Sequence, residues 1–271
     1  MPVLARVDAN RRRRFRTAIA VVAAAATASV STLAVRPLLS GASVEEGTGD
    51  EDVLTGADND NAANTNIQPP AVTAKQHLDN TDLLKGKNGK DLLIGRTGDD
   101  VLLGQDGDDI HIGGLESGTS PIPNSDVIFG EKDKDINIWA PGDGSDLFDG
   151  GPAKDTMILS QVVNTALEVT LFDFNGRQVP RVTIDERPQF SCTIERSPAI
   201  DGLNVDAVVR FFANGILAVT VRLLSVERVL CPSPTLGMVN VANIGDGEDE
   251  FVEVPLTDFG GVLGAILSGT T

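Results

Sequence analysis

Between Gly86 and Ile112 the chain states one nine-residue phrase three times: GKNGKDLLI, GRTGDDVLL and GQDGDDIHI. Each copy has a glycine-containing turn half, then an aspartate (Asp91, Asp100, Asp109), then three mostly apolar residues that read as a short strand. So short a period leaves little choice of architecture. One copy cannot bury an apolar face alone, so copies must stack, and self-similarity at a fixed short period is the mark of a solenoid. A partial leader, Asn80 to Lys85, carries Asp82 in the same register. A loop, Leu115 to Asn124, interrupts the pattern. It resumes at Asp126, Asp135, Asp146 and Asp155, with two extra residues before Asp146 around Pro141.

If two phrases make one coil, stacking aligns Asp91 with Asp109 on one edge and Asp82 with Asp100 on the other. In the second run Asp126 aligns with Asp146, and Asp135 with Asp155. Carboxylates stacked at the strand spacing of about 4.8 Å repel one another unless a cation lies between them. The donors on offer are hard oxygens, Asp carboxylates and the carbonyls of glycine turns, with no Cys or His at the positions facing the turns. Ca²⁺ fits such a set best, since zinc favours nitrogen or sulfur and magnesium keeps its waters.

The run GRTGDDVLLG and its neighbours resembles the G-G-x-G-x-D-x-U-x nonapeptide of RTX, or haemolysin-type, calcium-binding proteins. The resemblance covers about a quarter of the chain. It implies a parallel β-roll with Ca²⁺ in its turns. The metal ligands it implies are Asp91, Asp100, Asp109, Asp126, Asp135, Asp146 and Asp155, to which the leader adds Asp82, with carbonyls from the turns holding Gly89, Gly98 and Gly107. Where the family has its second turn glycine, the later phrases carry Asn124, Asp133 and Ala153. Ala tolerates left-handed geometry poorly, which puts strain at the turn before Asp155.

The family's inward apolar position holds Leu93, Leu102, Ile128, Phe148 and Met157, but also His111 and Asn137. The flanking positions, such as Leu92, Ile94, Ile110, Ile112, Ile136 and Ile138, are apolar too. An exposed apolar sheet of that size is a liability, so at least one face is expected to be covered by the following β segment or by another chain.

The fold class expected is therefore all-β, a parallel, calcium-stabilised β-roll followed by an antiparallel β domain. Residues 1–28 read as a signal peptide: RRRRFR precedes an uncharged Ala/Val-rich run that ends in Ala26-Thr27-Ala28. Residues 29–79 read as a flexible linker, in which GDEDVLTG (Gly49 to Gly56) echoes the phrase once. The roll occupies 80–159, the antiparallel domain 160–256 and a tail 257–271. The antiparallel reading rests on alternating strands and on Asn175-Gly176 and Asn214-Gly215, both hairpin-turn signals. Cys192 and Cys231 are the two cysteines of an apparently exported chain and are expected to pair.

A net charge of −17 excludes a basic surface for nucleic acid. The leading expectation for function is calcium ion binding by a secreted, extracellular protein of bacterial type, with the β domain meeting an unknown partner. The alternative is a cell-surface adhesin or matrix component whose β domain binds protein or glycan. A secreted hydrolase ranks below both, because neither His77 nor His111 begins H-E-x-x-H and GASVE (Gly41 to Glu45) lacks the last glycine of a nucleophile elbow. No enzyme is expected. Membrane contact is expected only through the N-terminal segment, if it stays uncleaved.

Overall fold

The computed structural model describes residues 44–55, 82–96, 98–114, 125–140, 143–165, 168–196, 199–200 and 203–268. The signal segment, most of the linker, and Asn124 lie outside the described residues. No helix among those described is long and apolar enough to cross a membrane.

The protein is all-β in its main body. Ten short strands come first: β1 (Val44–Glu46), β2 (Val53–Thr55), β3 (Leu83–Asn88), β4 (Leu92–Arg96), β5 (Val101–Asp106), β6 (Ile110–Gly114), β7 (Val127–Lys132), β8 (Ile136–Trp139), β9 (Leu147–Asp149) and β10 (Thr156–Leu159). The chain alternates between two sheets, so β1, β3, β5, β7 and β9 pair in parallel in one, and β2, β4, β6, β8 and β10 in the other. Residues 44–55, expected as linker, thus form two paired strands. Their single echo of the phrase has no neighbouring copy, yet Val53-Leu54-Thr55 pairs residue for residue with Leu92-Leu93-Ile94.

The turns between strands need left-handed backbone. Gly107 takes φ 143° and lies so close to Gly89 of the previous coil that a Cβ on it would run into the Gly89 carbonyl. Only glycine gives both the dihedral and the approach. The residue after each phrase's first glycine is also left-handed, although Lys87, Arg96, Gln105 and Glu131 hold the place (φ 82°, 76°, 79° and 71°). Asp133 (φ 68°) and Ala153 (φ 129°) are left-handed too, Ala153 in the turn expected to be strained.

A small covering segment follows: β11 (Gln161–Val162), β12 (Asn164–Thr165), β13 (Glu168–Val169), β14 (Leu171–Phe174), β15 (Arg177–Pro180) and β16 (Val182–Thr183). β14 and β15 form a hairpin whose turn residues Asn175 and Gly176 have φ 54° and 85°, the double left-handed turn that Asn-Gly favours. Then come β17 (Phe190–Arg196), β18 (Ala199–Ile200), β19 (Leu203–Asn204), β20 (Ala207–Ala213), β21 (Ile216–Leu224), β22 (Arg228–Cys231), β23 (Met238–Ala242) and β24 (Val252–Pro255).

The antiparallel strands do not make a second body stacked on the repeats. β21 adds in parallel to β9 and β22 to β10, after which β20 and β17, and β23 and β24, continue each sheet antiparallel to eight strands. One interior runs through both halves: Leu84, Leu93, Leu102, Ile128, Phe148 and Met157 meet Val209, Phe211, Val221 and Val229 between the sheets. Cys192 of β17 is disulfide-bonded to Cys231 of β22, tying the two sheets together.

The expected cover over one face comes from the β14–β15 hairpin of the following segment and from the last described element of the chain. Leu92, Ile94, Ile110, Ile112, Ile138 and Ile158, on the outer face of the second sheet, pack against Phe172 and Val179 of the hairpin and against Leu263 and Ile266. The last two belong to a helix, α1 (Gly261–Ser268), in the segment read from sequence as a tail. Its glycines give it poor intrinsic propensity, so packing, not propensity, holds it.

Candidate metal centre

Each repeat aspartate links its coil to the next by both its backbone and its side chain. The amide of Asp82 donates to Asp100 Oδ1 (2.7 Å), that of Asp100 to Asp126 Oδ1 (2.8 Å) and that of Asp126 to Asp146 Oδ1 (3.0 Å). On the other edge the amides of Asp91, Asp109 and Asp135 donate to Asp109, Asp135 and Asp155 Oδ1 at 2.8, 2.9 and 2.8 Å. The carbonyl of each accepts the amide that follows the next aspartate in its column, as Asp91 O does from Ile110 N (2.9 Å). All eight expected aspartates therefore stand in two columns, and all are buried. Gly89, Gly98 and Gly107 sit in the adjoining turns with φ 126°, 127° and 143°.

The second column is longer than the repeats that define it. The amide of Asp52 donates to Asp91 Oδ1 (2.8 Å) at one end, while Asp52 Oδ2 accepts from Thr48 N (2.6 Å) and Oγ1 (3.0 Å). At the other end Glu227, just before β22, takes the place of a further aspartate and accepts the Asp155 amide on Oε2 (2.8 Å). The echo GDEDVLTG carried the signal for Asp52. Nothing local in the sequence marks Glu227.

These bonds account for one oxygen of each carboxylate. The other, Oδ2 of Asp91, Asp100, Asp109, Asp126, Asp135, Asp146 and Asp155, is buried with no hydrogen-bond partner among the described residues. An unpaired buried carboxylate oxygen costs far more than a neutral orphan, so it must carry a proton or face a cation. Around it lie other oxygens. Oδ2 of Asp91 packs against the α-carbon of Gly86 beside the Gly104 carbonyl, and Oδ2 of Asp100 against Gly95 beside the Gly113 carbonyl, in spaces that a Cβ would fill. The donor set is all oxygen.

Burial raises these carboxyls, by the cost of desolvating a charge. Asp100 and Asp135 are pushed up to about 9 and Asp109 and Asp155 to about 7, each against the opposing pull of the amide it accepts and with neighbouring carboxylates adding to the rise. Asp91 is raised for the same first reason. Among the described residues, buried Arg177 of β15 brings a positive charge to this column: it donates from Nη2 to the Asp108 carbonyl (2.6 Å) and favours ionised Asp91 and Asp109.

At the interrupted phrase the first column gains a third carboxylate. One oxygen each from Asp126, Asp143 and Asp146 lie within 4.8 Å of one another, all three residues being buried, and this cluster could hold a metal ion. Burial pushes Asp143 up to about 6 and holds Asp126 and Asp146 well above the usual carboxylate range. Asp143 was not among the residues expected from the repeat. The two-residue insertion that carries it was the available signal.

His111 and Asn137 occupy inward positions between the sheets, fully buried, in register with Leu93 and Met157. Burial lowers His111 to about 3, so its ring is neutral at physiological pH. Compared with protein-family models, with curated proteins and with solved structures, the chain matches none.

Proposed function

We propose that this chain is an exported calcium-binding protein whose repeats fold as a parallel β-roll of the RTX, or haemolysin-type, kind, with Ca²⁺ in the turns stabilising the folded state. One observation carries the reading: the row of buried Oδ2 atoms that find no hydrogen-bond partner among the described residues. Hydrogen bonding between coils explains a carboxamide at these positions as well as a carboxylate. The negative charge is left over, and a hard divalent cation accounts for it. Ca²⁺ accepts six to eight oxygens in flexible geometry, which suits a site made of one or two carboxylates and several turn carbonyls.

Asp91, Asp109, Asp135 and Asp155 hold the ions of one edge, and Asp82, Asp100, Asp126 and Asp146 those of the other. Because the columns close only when coils stack, ion binding and folding of the repeats are one equilibrium. The antiparallel strands complete the two sheets and offer their exposed surface to a partner, protein or glycan, outside the cell.

The test is a calcium titration of the full chain, followed by far-UV circular dichroism and calorimetry. The expected result is uptake of several ions with a rise in thermal stability, and a much weaker response to Mg²⁺. A chain that binds no Ca²⁺ at roughly millimolar concentration would overturn the reading.

A further inference from the structure

We infer that Asp126, Asp143 and Asp146 form a divalent-cation site of their own kind, in which three carboxylates converge on one ion and which fills before the remaining turns. The inference rests on the calcium reading above and specifies one of its sites. Elsewhere in the columns successive carboxylates come from successive coils only. Here Asp143 brings a further side chain to two of them.

Asp143 is fixed at several points. The Asp143 amide donates to the Ala140 carbonyl (3.1 Å), and the Trp139 indole Nε1 donates to the Gly144 carbonyl (2.9 Å) from a fully buried ring. Asp143 itself is 4 % exposed and accepts the Gly114 amide on Oδ2 (3.1 Å) and the Gly144 amide on Oδ1 (3.1 Å). Its rotamer is therefore set by backbone groups. Facing it, Asp126 Oδ2 and Asp146 Oδ2 belong to side chains 1 % exposed and accept no hydrogen bond from any described amide or hydroxyl, while the Asp126 and Asp146 carboxyls stand within hydrogen-bond reach of Asp143. Three buried carboxyls that meet with no such donor between them are held together by shared protons or by a cation.

Charge and donor type indicate the ion. One oxygen from each of the three carboxylates lies within 4.8 Å of the other two, close enough to share one ion, and Ca²⁺ gives up its waters to such a set more readily than Mg²⁺ does. Three carboxylates, with no nitrogen or sulfur among them, attract a hard cation more strongly than one or two do, hence the order of filling.

The chain's single tryptophan makes the site separately observable, because Trp139 is hydrogen-bonded one residue from Asp143. Terbium(III), an oxygen-seeking ion of calcium-like size, should luminesce on excitation of tryptophan when it occupies this site. The full chain is titrated with terbium and then with calcium as competitor, for the wild type, Asp143→Asn and Asp106→Asn. Asp106 is the charge control, a half-exposed residue at the end of β5 paired with Lys132. Expected are sensitised emission that saturates with the first ion bound, displacement by Ca²⁺ but poorly by Mg²⁺, and a loss of at least about tenfold in that affinity in Asp143→Asn alone.

Asp143→Asn that titrates like wild type, while both bind several calcium ions, overturns the three-carboxylate site and leaves the calcium reading intact. Wild-type protein that binds no calcium by calorimetry overturns both. Should Asp143→Asn fail to fold, the wild type decides: emission that saturates with the first ion supports the site, and emission that appears only with the last ions, or never, overturns it.

Discussion

The amide of Asp155 donates to Oε2 of Glu227 at 2.8 Å, across 72 residues of chain. The last repeat is thereby closed by a residue of the antiparallel half, at the point where β22 joins β10. Glu227→Ala leaves the Asp155 amide without its acceptor, at a cost of about 1 to 3 kcal/mol. Glu227→Gln keeps an acceptor and removes the charge. Thermal melts with and without Ca²⁺ should show the alanine variant weakened in both conditions and the glutamine variant weakened mainly with Ca²⁺. Equal losses in both variants would assign Glu227 a purely structural role.

Asp109 and Asp106 belong to one turn and differ in what surrounds them. Asp109 is buried in the column, whereas the Asp106 side chain is 46 % exposed and pairs with Lys132. Asp109→Asn preserves the acceptor for the Asp91 amide and deletes the ionic charge, so it should lower the number of calcium ions bound while the ion-free fold survives. Asp106→Ala should cost no more than about 1 kcal/mol and leave the ion count unchanged. Calorimetric titration reads both. Equal effects on ion number would mean that the aspartates act as a diffuse acidic surface.

Ala153 stands at φ 129°, a region that side-chain-bearing residues rarely adopt, in an exposed turn. Ala153→Gly relieves that strain, against a smaller entropic gain for the unfolded chain. The expected net effect is a stabilisation of about 1 kcal/mol, visible as a higher urea midpoint. A lower midpoint would show the turn to be relaxed as it stands.

How much of this was legible follows from how local each signal is. The period of nine places Asp91, Asp100 and Asp109 without any knowledge of partners, because a solenoid's contacts repeat its sequence. The resemblance to the RTX nonapeptide, not the period, assigns Leu93, Leu102 and Ile128 to the interior, where they lie. Asp52 was marked only by the echo GDEDVLTG, read as linker because a single copy has no period and its partner Asp91 lies 39 residues on. Asp143 falls outside the register, in the insertion that breaks it. Glu227 and the edge-to-edge continuation of both sheets are long-range pairings that no window of sequence contains. The helix α1 was read as a tail because Gly261 and Gly264 argue against a helix, and only the apolar face of the second sheet outweighs them.

That face supplies a prediction of its own. Ile266 is fully buried against the outer side of the second sheet, in the cluster that includes Ile112 and Val179. Ile266→Ala should cost about 2 to 5 kcal/mol, the usual range for a buried isoleucine, and should expose sheet to a hydrophobic dye. A loss within the range of surface substitutions, about 0.5 kcal/mol, would mean that α1 does not hold the cover in solution.

The buried carboxyls set the pH dependence, and its sign is opposite to that of an ordinary salt-bridged aspartate. In the ion-free fold Asp100 and Asp135 titrate near 9 and Asp109 and Asp155 near 7, against about 4 for an unfolded chain. Between those limits the folded state binds more protons than the unfolded one, so stability falls as pH rises. The contribution is complete below about pH 4 and is lost as pH passes through 7 and then 9. Calcium reverses the trend, because it binds the ionised carboxylates and releases their protons. Without Ca²⁺ the melting temperature should therefore decline from pH 5 to pH 9, and the increment that saturating Ca²⁺ adds should grow over the same range. Calorimetry in buffers of different ionisation heat should detect more protons released per ion at pH 6 than at pH 9. An ion-free protein that becomes more stable as pH rises from 5 to 8, or a calcium increment larger at pH 5 than at pH 8, would show that the columns are already ionised without metal, and the charge argument for the cation would fall with them.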